Sequence, residues 1–280
     1  MRPPSPRGAS SPFAALRAVP TLLRIGFSEA VAYRAEMLVW VFATTMPLIM
    51  LMLWTTVAEV APVMGQGGRA WGSGAFVAYF LSVFIVRQLI SAWAAWEINF
   101  EVRQGMLSMR LLRPMHPVLS YAMSNLAYMP MRALVTLPVL AILLVTELSR
   151  MTTDWRVWLL WPLAMVGGWL ITFFANVAIG SLSFFIDSSI KIMDVWLAAF
   201  FVFSGYLFPL ELFPEWLRVA AQWMPFRYQI GLPVELMTGQ LTVEAALPLL
   251  ARQYGWAAIM IALSLTLWRG GIKRFQAFGG

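Results

Sequence analysis

The sequence contains no cysteine and a single histidine, His116. Disulfides, zinc–thiolate sites and iron–sulfur clusters are thereby excluded, and so is any multi-histidine metal site. A Ser/His/Asp arrangement would have to use His116, which lies between Pro114 and Pro117 and reads as a solvated loop residue. Charge is scarce as well. Only 12% of the residues are charged and 60% are hydrophobic, whereas a soluble domain carries roughly 25% charged residues. That balance argues against a water-soluble globule, and the abundance of aromatics argues against disorder. Catalytic and nucleotide-binding motifs are missing too. There is no H-E-x-x-H, no G-x-S-x-G and no G-x-x-x-x-G-K-[ST]; the nearest glycine run, at 65–68, is followed by Arg69. The chain therefore does not bind ATP through a P-loop of its own. Lysine is almost absent, so the net charge of +7 rests on arginine. In a soluble protein such a charge would raise the question of nucleic acid. Here membrane topology and anionic lipid account for it, and no nucleic-acid partner is expected.

What remains is apolar length. At ~20 apolar residues per crossing plus short loops, the chain holds about six or seven transmembrane helices. A soluble domain of ~100 residues does not fit beside them. Residues 1–12 are rich in Pro and Ser and read as a loose cytoplasmic tail rather than a signal peptide. Across 13–36, Phe13, Leu16, Pro20, Leu23, Phe27 and Ala30 recur at three- and four-residue steps, flanked by Arg17, Arg24 and Arg34. This predicts an amphipathic helix on the cytoplasmic membrane surface, its Arg heads snorkelling to phosphates, with a plain extension of the first span as the alternative. From 37 to 280 the chain reads as one membrane domain. Spans are predicted at 37–58, 75–96, 119–146, 157–186, 190–208 and 246–268, with Arg87 inside the second and Arg132 inside the third. Residues 209–244 are amphipathic and cut by prolines at 209, 214, 225 and 233 into pieces too short to cross, so they read as interfacial or re-entrant helices. The fold class is thus all-α, a six-span membrane protein.

Orientation follows from the cations. With six spans and both termini inside, twelve of the 20 lysines and arginines fall on cytoplasmic segments, six on outer ones and two inside spans. The excess favours cytoplasmic N and C termini. No convincing internal repeat occurs, which argues mildly against inverted-repeat secondary transporters.

The most informative stretch is the inner loop EINFEVRQGMLSMRLLRPMHPV. Glu97 and Glu101 share a helix face, and Gly105 can end that helix. A short amphipathic helix can follow from Met106, with Arg110 and Arg113 among Leu and Met, closed by Pro114. Its apolar side needs a partner, which predicts a docking element for a cytoplasmic protein. The bland alternative is a solvated loop that only enforces topology. Arg87 and Arg132 are costly within apolar stretches. They either line a pathway and bind an anionic substrate, pair across helices, or snorkel to an interface. Asp187, Lys191 and Asp194 lie at i, i+4 and i+7 and read as an internally paired face, with an ion or proton relay as the alternative. Glu211, Glu215 and Glu235 read as solvated rim charges. Pro209, Glu211, Pro214 and Pro225 are candidates for an outer gate. Gly167, Gly168, Ala175 and Gly180 suit close helix packing. No metal ligand set is expected.

Three stretches carry a resemblance: VRQGMLSMRLLRPMHP, SGYLFPLELFPEWLRVAAQWMPFRYQIGLP and WRGGIKRFQAFGG. With the order of elements over 13–280, they resemble the ABC-2 type exporter permeases, and more narrowly a subfamily often encoded in pairs beside an ATPase. The resemblance implies that 13–36 is an elbow helix, that a coupling helix joins spans two and three, and that short re-entrant helices lie between spans five and six. It also implies an ATP-driven exporter subunit without catalytic residues or bound cofactors. Two nucleotide-binding ATPase subunits, holding ATP and Mg, would dock on Glu97, Glu101, Arg103, Gly105, Arg110, Leu111 and Arg113. A second permease, a sister chain rather than a second copy, would complete the pathway among membrane lipids in a bacterial inner membrane. Two other readings compete. An ion-coupled secondary transporter or channel would use Arg87, Arg132 and the 187–194 charges and would ignore ATP. A lipid-processing enzyme lacks paired carboxylates at usable spacing.

Overall fold

In hydrocarbon every backbone N–H and C=O must find a partner within its own segment, so long apolar runs become helices. The computed structural model describes residues 20–21, 24, 27–28, 44–61, 63–65, 68–113 and 115–275. In chain order the elements are α1 (Met46–Val60), a hairpin of β1 (Val63–Met64) and β2 (Ala70–Trp71), α2 (Ser73–Ile90), α3 (Ala94–Arg103) and α4 (Leu107–Leu111). Then come α5 (Pro117–Ala127), α6 (Met129–Glu147), α7 (Trp155–Ser181), α8 (Ser189–Phe203), α9 (Glu215–Gln222), α10 (Gly231–Met237) and α11 (Val243–Ile272). Four stretches are long and apolar enough to cross a bilayer: Ser73–Arg103, Pro117–Arg150, Trp155–Phe184 and Val243–Ile272. α1 is a shorter apolar helix. The surface helix expected at 13–36, the tail at 1–12 and the start of the first span lie largely outside the described residues.

Two expected spans are broken rather than continuous. The second splits at Ser91–Trp93 into α2 and α3, and the third at Tyr128 into α5 and α6. Pro130 explains the second break. It has no N–H to give the preceding turn and its ring suits the first turn of a new helix, where it sits at the start of α6. At the first break Ser91 turns its hydroxyl back onto Arg87 O at 2.7 Å, and the Trp93 amide donates to Asn125 Oδ1 at 3.1 Å. Side-chain hydrogen bonds thus replace the helical ladder. The fifth span is also shorter than expected. α8 stops at Phe203, ahead of Gly205 at φ +86°, whose carbonyl accepts the Tyr79 hydroxyl at 2.8 Å. Pro233 does not cut its segment; it sits inside the first turn of α10.

α7 is the central helix and packs on α2, α3, α8, α10 and α11. One cluster joins the aromatic face of α2 (Phe76, Tyr79, Phe80) to Phe200, Phe226 and Ile230. A second joins α7, α10 and α11 through Ile171, Tyr228, Leu232 and Leu250. Between lipid-embedded helices such contacts stabilise by close packing rather than by removal from water. The small residues of α7 serve that packing within the chain. A side chain on Gly168 would place its Cβ 2.9 Å from Gln229 O, a backbone atom that cannot swing aside. Gly168→Leu is expected to destabilise the protein by about 2 kcal/mol or more. Thermal unfolding in detergent, followed by size-exclusion chromatography, measures the loss.

Candidate functional site

The loop between the second and third spans folds into a compact bracket. α3 carries Glu97 and Glu101 one turn apart and ends as Gly105 takes φ +70°, a conformation that favours glycine. The chain reverses into α4. Leu107 is its anchor, fully buried with Ile98, Val102, Val118 and Tyr121. Arg110, one turn later, points the same way. Its Nε lies 3.0 and 2.9 Å from the two Glu101 carboxylate oxygens, its Nη2 donates to Glu97 Oε1 at 2.7 Å and also reaches Glu101, and its Nη1 donates to Ser120 Oγ at 2.9 Å. The guanidinium stands 4.1 Å from the centre of the Tyr121 ring. Tyr121 donates its hydroxyl to Glu101 Oε2 at 2.5 Å. One arginine therefore ties α3, α4 and α5 together.

The electrostatics suit that role. The side chains of Arg110, Glu97 and Glu101 are 14%, 26% and 13% exposed. Burial works against the Arg110 charge, but Glu101 and Glu97 outweigh it and hold the guanidinium above its ordinary value. A planar fork matches this double-carboxylate geometry in a way an ammonium cannot. His116 caps the next helix, its Nδ1 accepting the Val118 amide at 3.3 Å, and its ring stands 6.3 Å from Trp268.

The residues expected in the docking loop thus divide. Glu97, Glu101 and Arg110 meet inside the bracket and face one another. Gly105 makes the turn. Arg103, Leu111 and Arg113 are on the surface, with Arg103 3.5 Å from Asp187. The outward edge also includes Met106, Met109 and Leu112, the last two 69% and 80% exposed. The apolar side of α4 signalled this edge in the sequence. The Tyr121 and Ser120 contacts left no sequence signal.

The other candidate charges are placed differently. Arg132 donates from Nη1 to Ser91 O at 2.8 Å and covers the Trp93 ring at 4.4 Å. Arg87 donates to Ser91 Oγ at 3.2 Å. Asp187, Lys191 and Asp194 form no ion pair with one another among the described residues, and all three are exposed. Asp187 precedes α8, which starts at Ser189, so helical spacing does not bring it to the other two. On the opposite side, Pro209 and Pro225 are buried and Pro214 caps α9. Glu211 accepts from Trp71 Nε1 at 3.2 Å, and Glu215 pairs with Arg218. Glu235 is no solvated rim charge. It pairs with Arg227 at 2.8 Å, the side chains 13% and 11% exposed. Glu235 holds the Arg227 guanidinium above its usual value although burial opposes it. Arg227→Met strands that carboxylate and should cost about 3 kcal/mol. Adding Glu235→Gln should recover most of the loss, read as a melting temperature in detergent. No cluster of three or more His, Asp or Glu suited to a metal occurs among the described residues.

Long apolar helices around α7, with the Arg110 bracket at the end of the second span, define a helical multi-pass membrane protein. A family model described as ABC-2 family transporter protein matches residues 44–279. The chain belongs to that family, whose members are membrane components of ATP-driven transporters. No curated protein sequence matches it.

Proposed function

We propose that this chain is the permease subunit of an ATP-binding cassette exporter. Family membership supports a transport component that works with an ATPase. The observation that carries the finer reading is the Arg110 bracket, which holds an apolar edge of Met106, Met109 and Leu112 outward between exposed Arg103 and Arg113. That edge suits a groove with an apolar floor and an acidic rim on a nucleotide-binding subunit. Two such subunits, carrying ATP and Mg, would dock beneath two permeases. The partner permease would be a sister chain, and the pair would line the pathway. α1 and α8 join the four long stretches as the first and fifth of six spans, with 13–36 as the elbow and both termini cytoplasmic in a bacterial inner membrane. Glu97, Glu101 and Arg110 are positioning residues, while Arg103, Leu111 and Arg113 meet the partner. A rigid bracket transmits displacement because it cannot absorb it. Closure of the ATPase dimer would move α4 with α3 and α5, and so bias the spans between two states. Pro209, Glu211, Pro214 and Pro225 lie at the far end of that movement, as the outer gate.

The test is a mild-detergent pull-down of the tagged chain from native membranes, with partners identified by mass spectrometry. A co-purifying P-loop ATPase and a sister permease are expected. Recovery of the chain alone, with gradient-driven and ATP-independent transport after reconstitution, would move the reading to a secondary transporter or channel.

A further inference from the structure

Two arginines converge on the break in the second span, and among the described residues no carboxylate is paired with either. Arg87 Nη1 reaches Ser91 Oγ at 3.2 Å, and Arg132 Nη1 reaches Ser91 O at 2.8 Å. The Ser91 hydroxyl donates to Arg87 O, so toward both cations the serine offers only lone pairs. Among the described residues neither guanidinium forms a salt bridge. The rest of the shell is the neutral Tyr206 hydroxyl beside Arg87 and aromatic faces, with Trp93 4.4 Å below Arg132 and Phe200 5.0 Å from Arg87. Arg132 is 7% exposed, and Arg87 Nε is buried with no hydrogen-bond partner among the described residues. A cation–π contact contributes ~0.5–2 kcal/mol. Removing an ion from water costs several kcal/mol. Aromatic faces, one serine and the neutral Tyr206 hydroxyl carry no negative charge and therefore do not neutralise two cations. Capping the free Ser91 carbonyl explains one of the five N–H donors of Arg132 and none of the Arg87 charge.

The depth of the break matters. α2 runs 18 residues from Ser73 to the break, about 27 Å at ~1.5 Å per residue. In a hydrocarbon core of ~30 Å that reaches one edge. In the orientation proposed above, on which this step rests, the edge is the cytoplasmic one, where anionic lipid phosphates lie. Ser91, Ala92 and Trp93 are half-buried rather than sealed, which leaves an approach.

We propose that Arg87 and Arg132 form a binding site for a phosphate-type anion at the Ser91 break. Two guanidinium forks would hold its oxygens, with Trp93 and Phe200 as walls. An acidic phospholipid headgroup of the inner leaflet and a free phosphate share this chemistry.

The experiment is native mass spectrometry of the purified full-length chain with dioleoyl phosphatidylglycerol, and separately with dioleoylglycerol, which lacks the phosphate. The wild type should retain phosphatidylglycerol and release dioleoylglycerol. Arg87→Gln and Arg132→Gln should each bind phosphatidylglycerol about tenfold more weakly, a difference of ~1.4 kcal/mol. Displacement of the lipid by millimolar inorganic phosphate assigns the site to a soluble anion, and resistance to it assigns the site to lipid. Either result supports the anion site. Equal retention of dioleoylglycerol by the wild type would overturn it, and that comparison needs no variant to fold. So would wild-type binding of phosphatidylglycerol by folded Gln variants. Both variants should still co-purify the ATPase. Loss of the anion alone therefore leaves the exporter reading standing, and loss of the ATPase from the wild type leaves the anion measurement intact.

Discussion

Aspartate at Met109 and Leu112 is expected to strip the chain of its ATPase while leaving its fold and melting temperature unchanged. Both side chains point outward and have little to lose within the chain. Exposed substitutions of this kind usually change stability by within ~0.5 kcal/mol. At the proposed interface the effect is far larger. Two apolar anchors disappear, and two carboxylates enter a groove proposed to have an acidic rim. Truncating a central anchor costs about 2 kcal/mol or more. An unpaired charge adds to that, so the complex should weaken at least ~100-fold. The ratio of co-purified ATPase to permease checks this, with Met109→Leu as the control that keeps the anchor.

Arg110→Met should do the reverse. It leaves the outward edge chemically intact and removes what holds it. Glu97 and Glu101 would then face each other one turn apart, largely out of water and without their cation. Breaking a fully buried pair costs about 3–5 kcal/mol. The residual exposure here reduces the expected loss to about 2–3 kcal/mol. Residues 104–113 should exchange amide hydrogens faster, and ATP hydrolysis should continue with transport reduced. Arg110→Lys should fall between, since a point charge cannot fork both carboxylates. Arg110→Met combined with Glu101→Gln should recover part of the stability, and that double-mutant cycle isolates the pair.

The bracket was half legible in the sequence. The turn spacing of Glu97 and Glu101, the stop at Gly105 and the apolar side of α4 are local, and local patterns survive folding. The inward turn of Arg110 is not local. It depends on Leu107 finding its pocket and on Tyr121 arriving from the next span. The same limit explains the charges read as paired or solvated. Asp187 fails to join Lys191 and Asp194 because the helix starts two residues later. Glu235 meets Arg227 because the segment between them folds back before α10. Pro130 announced the break in the third span, although the apolar run around it reads as continuous. The break at Ser91 has no proline or glycine; it exists because Asn125 and Arg132 of the neighbouring span supply its hydrogen bonds.

The most direct measurement is site-specific photocrosslinking from position 109. A benzoylphenylalanine there, activated in native membranes, should capture a P-loop ATPase as the main protein adduct, and the adduct should disappear when Leu112 is changed to Asp. Capture of lipid alone, or of no protein at all, from a chain that is folded and inserted would contradict the assignment of this edge as the docking surface.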